Sequence, residues 1–95
     1  MYQLIYLNGA VKDLKRIDKT YQRFLNDSIK EFVKNFSFSY EQELLRTKKI
    51  KKLQGLEEEL YRLKLRSYRV IYKKENDKLI ILVVSVKSRE NSYKK

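Results

Sequence analysis

The chain has 95 residues, 42% of them hydrophobic, and its 23 Lys and Arg against 12 Asp and Glu give a formal charge of +11. It contains no His, Cys, Trp or Pro. Zinc-finger, haem-ligating and thiol-nucleophile chemistries are therefore excluded, as are a Ser-His-Asp triad and any disulfide framework.

The apolar content is too high for a disordered chain, and the length implies one domain over residues 1–95 with one modest core. No signal peptide or membrane span is expected, because the longest apolar run, residues 79–84, is far below the ~20 residues that cross a bilayer. A cytoplasmic protein without membrane contact, metal or other cofactor is the expectation. The charge is the footprint of a nucleic-acid partner. An acidic protein partner, or a Lys-rich base composition, would also produce it. Residues 41–95 hold 16 basic and 8 acidic residues, residues 1–40 only 7 and 4, so most of the positive field belongs to the second part.

Residues 2–7, rich in aromatic and branched side chains, predict a first strand, ended by Asn8 and Gly9. Asn8 can cap a short helix carrying Val11, Leu14 and Ile17 on one face. Asp18 can cap a second, whose stripe runs Tyr21, Leu25, Ile29, Phe32, Phe36 and reads as core. Beyond it, Ser39 and Gln42 suit a capping box for a short helix through Leu45. The run from Arg46 through Lys48, Lys49, Lys51 and Lys52 follows; it is either a solvated segment or a patch that tracks phosphates of RNA.

Residues 60–66 alternate: Tyr61, Leu63 and Leu65 on one face, Arg62, Lys64 and Arg66 on the other. A tight turn at Arg66-Ser67 leads to a strand over residues 67–72, with Tyr68, Val70 and Tyr72 on one face and Arg69 on the opposite one. A turn over residues 75–78 precedes an apolar strand over residues 79–86. The expected fold class is α+β: strand–helix–helix–three-strand antiparallel sheet, with the helices packed on one sheet face. The other face is left with Arg62, Lys64, Arg66 and Arg69. Those cations could simply solubilise the sheet, and Arg69 could pair with Glu57, Glu58 or Glu59. Outward like charges on one strand repel, however, which favours an anionic ligand.

The order Leu53-Gln54-Gly55, Tyr61-Arg62-Leu63-Lys64, Tyr68-Arg69-Val70-Ile71-Tyr72, Leu82-Val83-Val84-Ser85-Val86, Arg89, Tyr93 resembles the RelE toxins of the RelE/ParE superfamily, over residues 50–93. The resemblance implies the toxin of a type II toxin–antitoxin system: a metal-independent, ribosome-dependent mRNA endonuclease that cuts in the ribosomal A site and inhibits translation. It implies neutralisation by an acidic RelB-like antitoxin in a hetero-oligomer. By position it assigns Arg62 and Lys64 to the basic catalytic strand, Arg69 to the scissile phosphate, Arg89 to proton donation and Tyr93 to stacking on a nucleotide. Lys48, Lys49, Lys51, Lys52 and Arg66 become candidate RNA and ribosomal-RNA contacts. The chain departs from the family where Arg66 replaces a frequent turn glycine. It also lacks the His on which toxins of the YoeB and YafQ kind rely.

The chemistry has its own logic. Attack of a 2′-OH on the adjacent phosphorus needs a base, a cation for developing charge and an acid for the leaving oxygen. With no His, an amine crowded by guanidinium groups is the remaining base, because like charges lower a lysine pKa; Lys64 between Arg62 and Arg66 fits. A ParE-like inhibitor of DNA gyrase, with the same fold and no nuclease chemistry, is the alternative. A basic RNA-binding module or an inactive toxin is a third.

Overall fold

The computed structural model describes residues 2–54 and 57–86. The chain runs β1 (Gln3–Tyr6), α1 (Asn8–Lys15), α2 (Lys19–Lys34), α3 (Phe38–Arg46), β2 (Ile50–Lys52), β3 (Tyr61–Leu65), β4 (Tyr68–Glu75) and β5 (Lys78–Val86). The strands form one sheet in the order β1-β5-β4-β3-β2. The pairs β2–β3, β3–β4 and β4–β5 are antiparallel, whereas β1 joins β5 in parallel. The fold is the expected α+β arrangement with two additions: a parallel first strand, and a short β2 cut out of the basic run.

Each helix starts where the backbone offers a cap. The side chain of Asp18 accepts from the Thr20 N–H, as its sequence position predicts. Asn8 does not cap α1. Leu7 is the N-cap residue instead, because its N–H still donates to the Ile81 carbonyl at 2.9 Å, so the strand's last paired residue is also the helix's entry. Nor does Ser39 cap α3: the extended Ser37 does, accepting from the Tyr40 N–H at 3.1 Å. The earlier start turns Glu41 inward, where it is 1% exposed.

The stripe of α2 is buried from Leu25 to Phe36, with Tyr21 at its exposed end. Phe32 and Phe36 meet Tyr72 of β4 edge-on at 5.4 and 6.3 Å between ring centres. Tyr61, Leu63 and Leu65 complete that face, and Tyr61 stacks on its cross-strand partner Tyr72. Burying such rings stabilises by about 2 kcal/mol each. The helices therefore cover one face of the sheet, as the alternation of residues 60–66 predicts.

The apolar run in β5 has a specific explanation. Ile71 pairs with Val83 but Tyr72 pairs with Ile81, so Leu82 is an extra residue. This bulge re-phases the strand. Leu79 and Ile81 face the core before it and Val84 after it. Ile80 is also buried yet stands apart from that core; on the sheet it lies between Ile5 and Lys73. Beyond Tyr6, where β1 no longer covers β5, the Asp13 carboxylate of α1 accepts from the Val84 N–H at 3.0 Å. No described helix is long and apolar enough to cross a membrane.

Candidate functional site

The pairing register collects the cations on the face away from the helices. Lys51 lies opposite Arg62, and Lys64 opposite Arg69. Lys64 is exposed; Arg62 and Arg69 are half-buried. Antiparallel partners lie about 5 Å apart at Cα, so these side chains share one patch three strands wide, across β2, β3 and β4.

Arg69 is the unusual member. Its Nη1 is buried and has no hydrogen-bond partner among the described residues. Burial, and then the nearby Arg62 charge, hold its pKa below the ordinary arginine value. Arginine stays charged under such shifts, so the lowering measures how poorly the cation is compensated. Of the three carboxylates expected as partners, Glu58 pairs with Lys73 at 3.4 Å and Glu59 with Lys52 at 3.6 Å, while Glu57 is exposed and makes no ion pair among the described residues. Among the described residues, no carboxylate is within ion-pair distance of Arg62, Lys64, Arg66 or Arg69.

Arg66 leaves the face that strict alternation assigns it. It occupies the turn with φ 56°, and its guanidinium lies over the Phe24 ring of α2 at 4.2 Å. The hairpin needs a left-handed residue there, so the strand's period stops one residue early. The crowding of Lys64 by two guanidiniums on one strand face is thus not realised; Arg62 alone shares that face of β3.

The basic run is ordered by one residue. Ile50 is 1% exposed and anchors β2 against β3, through a 2.9 Å bond from the Lys64 N–H to the Lys49 carbonyl. Lys51 and Lys52 are held exposed on either side of the sheet edge. Lys48 ends α3 with φ 70° and lines a cleft with Lys49, Lys64 and Arg66. A second cleft places Lys51, Lys52 and Arg62 together. A lone Ile among cations is a weak strand signal, which is why β2 is hard to see in the sequence. Arg89 and Tyr93 lie outside the described residues.

Such a surface can hold and polarise an anion with a planar fork and flexible amines. Residues 4–93 match the family described as the ParE toxin of the type II toxin–antitoxin system parDE. No curated protein matches the sequence. Among solved structures, the isolated E. coli RelE toxin is similar at 21% identity and a TM-score of 0.68, over 98% of this chain and 92% of that one. The RelE–RelB complex from Pyrococcus horikoshii OT3 is similar at 28% identity and 0.61, over 93% and 97%. YafQ from E. coli strain BL21(DE3) follows at 16% and 0.66, over 98% and 99%. The chain belongs to the family of ParE toxins of type II toxin–antitoxin systems.

Proposed function

We propose that this member of the ParE toxin family is an mRNA endonuclease that acts in the ribosomal A site and so stops translation. What carries this reading is the Arg69 guanidinium, with a buried N–H lacking a partner, on a face shared with Arg62 and Lys64 that no described carboxylate neutralises. A scissile phosphate supplies the missing acceptors as a bidentate ligand. The substrate 2′-OH then attacks phosphorus: the O2′–P bond forms, the P–O5′ bond breaks, and a 2′,3′-cyclic phosphate and a 5′-OH result. Lys64, acting as its neutral amine, takes the 2′-OH proton, Arg62 stabilises the charge that develops on the phosphate oxygens, and Arg89 returns a proton to the leaving oxygen. Tyr93 stacks on a neighbouring base. Arginine is a poor proton donor at neutral pH, so this set needs a substrate presented in line, which is what dependence on the ribosome provides.

The RelE similar to this chain at 28% identity was solved bound to RelB. We extend that to an acidic RelB-like antitoxin here, in a cytoplasmic hetero-oligomer. Lys51 and Lys52 join as backbone contacts of messenger or ribosomal RNA. The second reading, a gyrase inhibitor without nuclease chemistry, draws on the matched family being the ParE one. Mapping 5′ ends of a defined mRNA with and without programmed ribosomes separates the two. The nuclease reading expects cuts in the A-site codon that require ribosomes and fall by about 100-fold or more in Arg69→Ala. Growth arrest by a folded wild-type protein that leaves mRNA intact, with inhibition of gyrase supercoiling, would overturn it.

A further inference from the structure

We propose that the cleft between the end of α3 and the β3–β4 turn is a second backbone-phosphate subsite for single-stranded RNA, one that sets affinity rather than chemistry. The inference rests on the nuclease reading above and extends it to how the strand leaves the reacting centre. The cleft has a volume of about 390 Å³ and is lined by Thr47, Lys48, Lys49, Lys64 and Arg66. No carboxylate and no apolar side chain lines it, so neither a cation nor a hydrophobic anchor suits it. Lys64 belongs to both places: it lines this cleft and stands directly opposite Arg69 on the sheet. An anion chain held at Arg69 therefore has one continuous way onward.

Backbone strain is a second, independent observation. Among the described residues only Lys48, Arg66 and Asn76 have positive φ without being glycine. Asn76 is a residue type at home there, in a turn between two strands. Lys48 and Arg66 are not. A side chain in that region costs about 1–2 kcal/mol, which glycine avoids. At the first position after a helix C-cap, and at a two-residue hairpin turn, glycine is the usual solution. Here both strained positions carry cations, and both cations line the same cleft. Strain retained by side chains that converge on one place points to a ligand for them.

An acidic polypeptide is the competing occupant. RNA is favoured because the cleft shares Lys64 with the phosphate site, with four cations and one hydroxyl residue around it.

The test uses fluorescence anisotropy with a non-cleavable 2′-O-methyl RNA 12-mer across a salt series. Lys48→Gly/Lys49→Ser is compared with Lys12→Ser/Lys15→Ser, which removes the same charge from the exposed face of α1. The cleft pair is expected to weaken binding by about tenfold and to shrink the log–log salt slope by about 1.4, at 0.7 per phosphate of a single strand. The α1 pair should leave that slope unchanged. Equal losses in both pairs would mean diffuse attraction and overturn the subsite. So would unchanged RNA affinity together with lost affinity for a polyglutamate peptide. Urea unfolding guards against misfolding, because Lys48→Gly should stabilise. Failure of the nuclease reading is separable: it shows as absent cleavage by wild type, whatever the RNA affinity of the cleft pair.

Discussion

Glu41 is buried and Arg69 half-buried with its Nη1 out of water, and the protein treats the two charges in opposite ways. Glu41 accepts from the Tyr72 hydroxyl and from Lys74 Nζ, both at 2.7 Å. Lys74 also lies over the Tyr61 ring at 4.7 Å. Every atom of that network has a partner, whereas Arg69 keeps a donor unpaired. The first arrangement belongs to stability, and the second is the basis of the phosphate contact proposed above. Tyr72→Phe should cost about 1–2 kcal/mol in urea unfolding, since it leaves one buried carboxylate oxygen short of a donor. Lys74→Met should cost about 2 kcal/mol, less than a fully buried pair because the ammonium is still partly in water. Burial alone would lower the Lys74 pKa, but the Glu41 hydrogen bond and charge outweigh it and hold it above the ordinary 10.5. A raised folded value means that the contribution is complete below 10.5 and is lost as pH rises through the folded value. The difference between wild type and Lys74→Met should therefore be flat from about pH 6 to pH 9 and shrink only in strong alkali. A difference that vanishes on acidification to pH 6 would contradict this assignment.

At the scale of elements, the unexpected features sit where one element hands over to the next. Leu7 serves β1 and α1 together, and Lys48 ends α3 just before β2 begins. Arg66 turns β3 into β4 at the cost of its own backbone. Lys48→Gly should raise stability by about 1 kcal/mol, the left-handed penalty less the entropy glycine adds to the unfolded chain. Arg66→Gly should come out near zero, because the same relief is offset by the loss of the guanidinium over Phe24, worth about 0.5–1 kcal/mol. Chemical denaturation of the two variants decides it, and a gain from both would mean the Phe24 contact is idle. Asp13→Ala tests the other handover. It exposes the Val84 N–H at the edge of β5 that β1 does not cover, for an expected loss of about 1–2 kcal/mol. The elements themselves were legible: the α2 stripe appears in the structure as read, and the period-two run holds over Tyr61–Leu65, ending before Arg66. β2 and the bulge at Leu82 were not, because three residues around one Ile carry no period and a bulge leaves an apolar run looking unbroken.

For the whole molecule, charge is the dominant quantity. The principal extents are 36, 29 and 24 Å. At about 0.01 M salt the screening length is ~30 Å, so most of the +11 charge repels across the full body; at about 0.15 M it falls to ~8 Å and only neighbours interact. The melting temperature should thus rise over that range. A flat or falling profile would mean the five ion pairs among the described residues outweigh the net repulsion. The same field speeds the encounter with any polyanion and makes its capture sensitive to salt.

Local order and charge balance were determined by the sequence alone. Periodicity belongs to the backbone, and each segment displays its own: alternation in β3, a helical stripe in α2, a cap at Asp18. Composition likewise excluded imidazole and thiol chemistry and left a net charge of +11. Partnership across distance was decided only by the tertiary structure. That β1 lies parallel to β5, that Glu41 meets Lys74 instead of water, that Glu58 and Glu59 bypass Arg69, and that Lys48 and Arg66 meet at one cleft are matters of register. Register is chosen by which distant backbone completes the hydrogen bonds and which side chains fill the core. No local pattern carries that information, because the competing pairings share the same local geometry.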